Sequence, residues 1–175
     1  MSLLEVAPPT RPPLDDSFRP AALGTRAFLD EVRASGKAVP LAIGLERNPG
    51  SRSLFRTEVF GDRMNDEDNF RYVERLVKFL LWKEGGHRII VGGPPEIGEY
   101  IRNAYMPGGL RAFDAEFMAG VYEKPFMVER AAVEDVPPSK VVAADMGRHL
   151  NGCRIGFDAG ASDRKVAAVV DGKAV

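Results

Sequence analysis

The feature that most limits what this chain can fold into is the stretch from Asn65 to the Gly85-Gly86 pair. There Phe70, Val73, Leu76, Val77, Leu80 and Leu81 recur at three- and four-residue spacing. That period belongs to a helix with one apolar stripe, which must be covered by another element. Asn65 is expected to cap it, and Asp66, Glu67 and Asp68 suit the positive end of the helix dipole. The neighbouring segments supply the cover. "VPLAIGLER" (39–47) and "LFRTEVF" (54–60) read as strands joined by a turn at "NPGS", "HRIIVGG" as a short buried strand, and "PFMVERAAV" (125–133) as a further strand. "PPEIGEYIRNAYM" reads as a helix with proline in its first turn, where a missing N–H costs nothing. A helix from about Pro20 to Ala34, stopped by Gly36, precedes them, and 107–124 suggests a turn plus a short helix. The expected fold class is α/β, with α+β as the alternative: a βαβ-containing mixed sheet with flanking helices.

Four domains or segments are expected. Residues 1–16 carry Pro8, Pro9, Pro12 and Pro13 with few large apolar groups, which reads as a disordered, proline-rich leader. Residues 17–135 form the α/β domain, 136–152 a linker opened by Pro137 and Pro138, and 153–175 a C-terminal β-hairpin. Lys plus Arg number 24 against 25 acids, so no global charge draws the chain to nucleic acid or anionic lipid. A lone cysteine, Cys153, rules out an intrachain disulfide and a cysteine-rich zinc cluster. The chain has no signal-peptide pattern and no apolar run near ~20 residues, so a cytoplasmic location with no membrane partner is expected.

Chemistry is concentrated near the C-terminus. "RIGFD" (154–158) alternates and ends on an acid, and "RKVAAVVD" (164–171) reads as a second strand closed by the Asp171-Gly172 turn. Between them Ala159, Gly160, Ala161, Ser162 and Asp163 leave the backbone accessible, so N–H groups and a hydroxyl can face phosphate oxygens. Asp158 at the strand end is placed to hold a hydrated magnesium ion, and Lys165 to add positive charge. The competing reading is a hairpin whose loop merely turns.

"IGFDAGASDRKVAAVVDGK" resembles the first phosphate motif of the sugar kinase, Hsp70 and actin superfamily, most closely that of the ROK family of sugar kinases and repressors. Asp158, Gly160, Ser162, Lys165, Asp171 and Gly172 fall at the matching places, whereas Ala161 stands where a second glycine is usual and Ser162 where threonine is. "ERLVKFLLW", "VGGPPEIGEYI", "RAFDAEFM" and "GRHLNGCRIGFD" are similar to the N-terminal extension of some ROK-like proteins. The resemblance implies ATP and magnesium as cofactors, a nucleotide and a sugar as ligands of the full-length protein, and residues 153–175 as the start of an actin-like ATPase domain. Asp158 would act through the metal, and Gly160, Ala161 and Ser162 would contact phosphate. The remaining family machinery follows the first hairpin, so the expectation is an N-terminal portion of a ROK-like carbohydrate kinase, inactive alone. The alternative is a non-catalytic regulatory or assembly module. An open strand edge in the hairpin allows a homo-oligomer.

Other candidates carry less. "IIVGGPPEIGEYI" places glycines between strand and helix but lacks dinucleotide or Walker spacing, leaving a plain connection, or else sugar or anion contact. His87 reads as a surface turn residue, His149 as structural, and Cys153 as a small core residue. Phe79 and Trp82 read as helix core or interface. "LAIGLERNPGSRSLFRTEVFGD" parallels the C-terminal hairpin with Glu46 in place of Asp158, either as a non-catalytic copy or by coincidence.

Overall fold

The computed structural model describes residues 2–142 and 150–175. They form two compact units, the first ending at Val142. In the first, α1 (Ala21–Ala34) leads into β1 (Ala38–Glu46), β2 (Arg52–Phe60), α2 (Asp66–Glu84), β3 (Arg88–Gly92), α3 (Pro95–Ala104), α4 (Ala112–Tyr122) and β4 (Met127–Ala131). The sheet runs β2-β1-β3-β4. β1 is antiparallel to β2 and β3, and β3 is parallel to β4. A parallel pair needs a crossover, which α3 and α4 supply, so the mixed α/β class expected from the sequence is what forms.

Period-2 alternation gives this sheet two apolar faces of different kinds. Leu41, Ile43, Leu45, Ile89 and Val91 face the helices and join Phe28, Val32, Val73, Val77, Leu81, Ile97 and Ile101 in the main core. Phe28 anchors it, stacked on Tyr72 at 4.3 Å and edge-on to Phe60 at 5.5 Å. The opposite face holds Ala42, Gly44, Ile90 and Gly92 and is covered by a strap around Val136. Residues 136–142, read above as linker, therefore belong to the first unit: Val136 is buried, Leu54 N–H donates to Ser139 Oγ, and Lys140 bridges Arg52.

The N-terminal segment also differs from expectation. Leu4 is buried in the core, and its carbonyl lies so close over α1 that a Cβ at Gly24 would collide with it. Ser2 Oγ adds a 2.7 Å bond to Asp68, which fastens the segment to α2. Asn65 precedes α2 without capping it and donates instead to Asp62 Oδ1. The anchoring polar residue is Asn69, whose amide bonds both the N–H and the carbonyl of Phe60 at 3.0 and 2.9 Å and so extends the β2 ladder into the helix.

The second unit is an antiparallel sheet of β5 (Cys153–Ala159), β6 (Arg164–Val170) and the short β7 (Lys173–Ala174), in that order. Asp171 (φ 45°) and Gly172 (φ 81°) make the tight turn into β7 that an Asp-Gly pair favours.

Candidate functional site: the hairpin of residues 158–165

Asp158 and Lys165 stand directly opposite each other at the last-but-one pair of the β5–β6 ladder, which puts a carboxylate and an ammonium at the mouth of the connection 160–163. The Asp158 side chain is exposed, and no described residue pairs with it. Lys165 turns its ammonium to Asp163, with Nζ–Oδ2 at 3.1 Å, so the charge offered to an incoming anion is shared with a local acid. The amides of Gly160, Ala161 and Ser162 donate no hydrogen bond within the described residues. Ala161 is not among the residues at positive φ, so its methyl group imposes no backbone strain where a second glycine is usual. Gly160 is needed for space instead: a Cβ there would lie 2.7 Å from Asp163 Oδ1 and 2.9 Å from its carbonyl.

Chemically this is an exposed carboxylate beside a bend with free donors. One carboxylate suits a magnesium ion that keeps several waters and takes other ligands from a phosphate chain. Asp158 is the residue that would hold it, with Gly160, Ala161 and Ser162 toward phosphate. Among the described residues, no three His, Cys, Asp or Glu side chains converge to hold a metal.

The parallel hairpin in the first unit is differently committed. Glu46 ends β1 as Asp158 nears the end of β5, but its Oε2 pairs with Arg88 Nη1 at 3.0 Å, and Arg88 forks onto Glu129 at 3.0 and 2.6 Å. Arg47 binds the carbonyl and carboxylate of Glu84. No carboxylate of this group is left over for a metal.

The strand–helix connection at Gly93, Pro94 and Pro95 lines an open cleft of about 560 Å³ at the carboxyl ends of β3 and β4, with Arg102, Glu129 and Arg130 on its walls. Pro94 and Pro95 remove two of the N–H groups a helix N-terminus would offer, and the Ile97 amide is bonded to Pro94 O. Glu99 holds both arginines, Arg102 at 2.6 Å and Arg130 at 3.7 Å. The loop is therefore a poor anion cradle and a sound helix start.

Two single-residue expectations are corrected. Cys153 is exposed rather than core, as is every other residue of β5. His87 is buried (7% exposed), with its ring beneath Tyr122 at 5.9 Å and its Nδ1 without a partner. His149 lies outside the described residues. Burial lowers the His87 pKa, with Lys124 and Arg88 acting the same way and Glu46 opposing them. Above the unfolded value near 6.5 the ring is neutral in both states. As pH falls through that value the unfolded chain takes a proton the folded one resists, so stability is lost until the folded-state pKa is passed. Chemical denaturation at pH 7.5 and 5.5 should show a larger loss for the wild type than for His87→Phe; equal losses would remove His87 from the pH response.

A second polar site has no motif. Asp114 on α4, 2% exposed, accepts from Trp82 Nε1 at 2.7 Å and from Lys78 Nζ at 3.2 Å, while Arg111 bonds the buried Glu74. That bond raises the Arg111 pKa further, and burial raises that of the neighbouring Tyr105 hydroxyl. Its one legible signal is the spacing of Glu74, Lys78 and Trp82, four apart on α2. Trp82 is partly exposed beside it and stacks on Phe117 at 5.1 Å, so it belongs to an interface of α2 with α4 rather than to the core, while Phe79 is exposed and borders a cleft with Leu4 and α1.

Among the described residues no helix is long and apolar enough to cross a membrane. Compared with models of protein families, with curated proteins and with solved structures, the chain matches none.

Proposed function

We propose that residues 153–175 are the first phosphate-binding hairpin of a ROK-like, ATP-dependent carbohydrate kinase, and that residues 2–142 are an accessory α/β module without catalytic residues. The observation that carries this reading is the unpaired, exposed Asp158 carboxylate beside a bend whose amides are free. An acid that served only to stabilise the hairpin would be expected to pair with Lys165 directly opposite, yet Lys165 bonds Asp163. In this reading Asp158 holds a hydrated magnesium ion, Gly160, Ala161 and Ser162 meet phosphate oxygens, and Lys165 adds charge. Magnesium would neutralise the phosphates and help orient them. Phosphoryl transfer needs several converging groups, so binding without turnover is the expected property of this chain.

A second reading, a regulatory or assembly module, is favoured by α4. Phe113, Phe117 and Val121 form an exposed stripe at four-residue spacing, with Phe113 69% exposed. Such a stripe marks a contact surface more readily than a solvated helix.

Titration calorimetry with ATP and magnesium tests the first reading. Saturable, magnesium-dependent heat is expected, weakened about tenfold or more by Asp158→Ala, the scale of losing one charge-assisted contact. Identical isotherms for the two proteins, or no heat in either, would withdraw nucleotide binding.

A further inference from the structure

In the first unit, a cleft of about 360 Å³ lies between the start of α1, the middle of α2 and the N-terminal segment at Leu4, within the span of about 300–1,000 Å³ common for small-ligand sites. Its walls are apolar: Leu4, Ala21 and Ala22 from the N-terminal segment and α1, Leu76 and Phe79 from α2. The two alanines leave the room, and Phe79 stays 61% exposed. The Tyr72 hydroxyl is already held by Thr57 at 2.7 Å. The polar side-chain groups left on the walls are the Thr25 hydroxyl and the Arg75 guanidinium.

Arg75 is half-buried, and no described residue pairs with it. Its neighbours three and four positions away on α2 are Arg71, Tyr72, Lys78 and Phe79, so no acid lies within helical pairing reach. The other cations nearby are committed: Arg71 to Glu5, Lys78 to Asp114, Lys83 to Glu84 and Arg111 to Glu74. Arg75 and Phe79 also line a shallow depression beside the cleft, whose remaining walls are Lys78, Trp82, Lys83 and Arg111, with no acid among them. One positive charge therefore stands uncompensated where an apolar cleft opens onto a cationic surface. We propose that this cleft binds a single-chain carboxylate, its alkyl chain along Ala21, Ala22 and Leu76 and its head on the Arg75 guanidinium. The planar guanidinium fork pairs both oxygens of a carboxylate, and a single free charge matches a monoanion better than a phosphate dianion. From Tyr72 to Phe79 the wall of α2 advances about 10 Å at ~1.5 Å per residue, which suits an extended chain of roughly eight to ten carbons joined by bonds of ~1.5 Å.

None of these residues belongs to the phosphate set, so the site stands or falls separately from the nucleotide reading. Titration of the full chain with sodium decanoate, followed in amide NMR spectra, is the test. Saturable shifts confined to the amides around residues 21–25 and 72–79 are expected. Shortening the probe to octanoate should weaken binding about fifteenfold, at about fourfold for each buried methylene. Arg75→Gln should weaken decanoate binding about tenfold or more, the scale of one charge-assisted contact, and leave the affinity for neutral 1-decanol unchanged. An arginine that only laid its stem over the apolar wall would not distinguish the two probes. Ala22→Phe, at an exposed position of α1, should fill the cleft and remove both, while the dispersion of the same spectra shows that each variant folds. No saturation, shifts centred elsewhere, octanoate bound as tightly as decanoate, or decanoate binding indifferent to Arg75→Gln or to Ala22→Phe would each overturn the proposal.

Discussion

Replacing Asp114 by alanine is expected to lower the melting temperature of the first unit by about 6–12 °C. The carboxylate is buried to 2% exposure, accepts from two donors, Trp82 Nε1 at 2.7 Å and Lys78 Nζ at 3.2 Å, and has the Arg111 guanidinium as an ion-pair neighbour at 3.8 Å. Removing it leaves the indole N–H without an acceptor and strips Arg111 of one of its two carboxylate neighbours. Breaking a buried pair on one side costs about 3–5 kcal/mol, and the low end applies because Lys78 reaches solvent. At about 2–4 °C per kcal/mol for a unit of this size, the stated shift follows. Asp114→Asn keeps an acceptor for Trp82 and should lose less. Trp82 is the only tryptophan, so its fluorescence reports the α2–α4 contact directly during the melt. A shift below about 3 °C for the alanine variant would mean that the cluster contributes little to holding α4, and that packing of Ala115, Met118 and Tyr122 holds it instead.

The parts of this fold that are legible in the sequence are those with a local cause. α2 can be read because a helical period of apolar residues has few other uses, and the Asp171-Gly172 turn because both residues tolerate positive φ. The leader and the linker escape such a reading for a shared reason. Proline content dominates both, yet each carries one apolar residue, Leu4 or Val136, that fits a notch made by distant glycines. Complementarity between Leu4 and Gly24, or between Val136 and the Gly44–Gly92 pair, leaves no trace in the spacing of either segment. The burial of His87 is hidden likewise, since Tyr122, which covers it, lies 35 positions downstream. At the candidate site the motif names Asp158 and the bend, but not that Lys165 turns to Asp163. That preference comes from a carboxylate and an ammonium two residues apart at the end of a ladder, which a motif comparison does not weigh.

The Val136 notch makes the second large expectation specific. Gly44 and Gly92 leave room under the strap, and added methyl groups at the two positions meet different obstacles. At Gly44 a Cβ would lie 2.9 Å from Val136 Cγ1, a side-chain atom, with Ile90 Cβ next at 3.5 Å. At Gly92 it would collide with Val136 Cγ2, and would also lie 2.9 Å from Ala132 O and 3.0 Å from Val133 Cα, which are backbone. Overpacking of this kind costs about 1–3 kcal/mol. Gly92→Ala should reach the upper part of that range and lift residues 132–142 off the sheet, freeing the Arg52–Lys140 bridge and the Val142–Ser51 bond. Truncating the obstacle separates the two cases. Val136→Ala added to Gly44→Ala should leave a protein no less stable than Val136→Ala alone, because the only severe contact is gone. The same change added to Gly92→Ala should recover only part of the loss, since the carbonyl of Ala132 still blocks the site. Urea unfolding of the single and double variants, with hydrogen exchange at the amides of residues 52 and 142 as a local readout, distinguishes these outcomes. Full rescue of Gly92→Ala by Val136→Ala would show that the strap backbone yields freely and that side-chain fit, not the path of residues 132–136, sets how the second face of the sheet is closed.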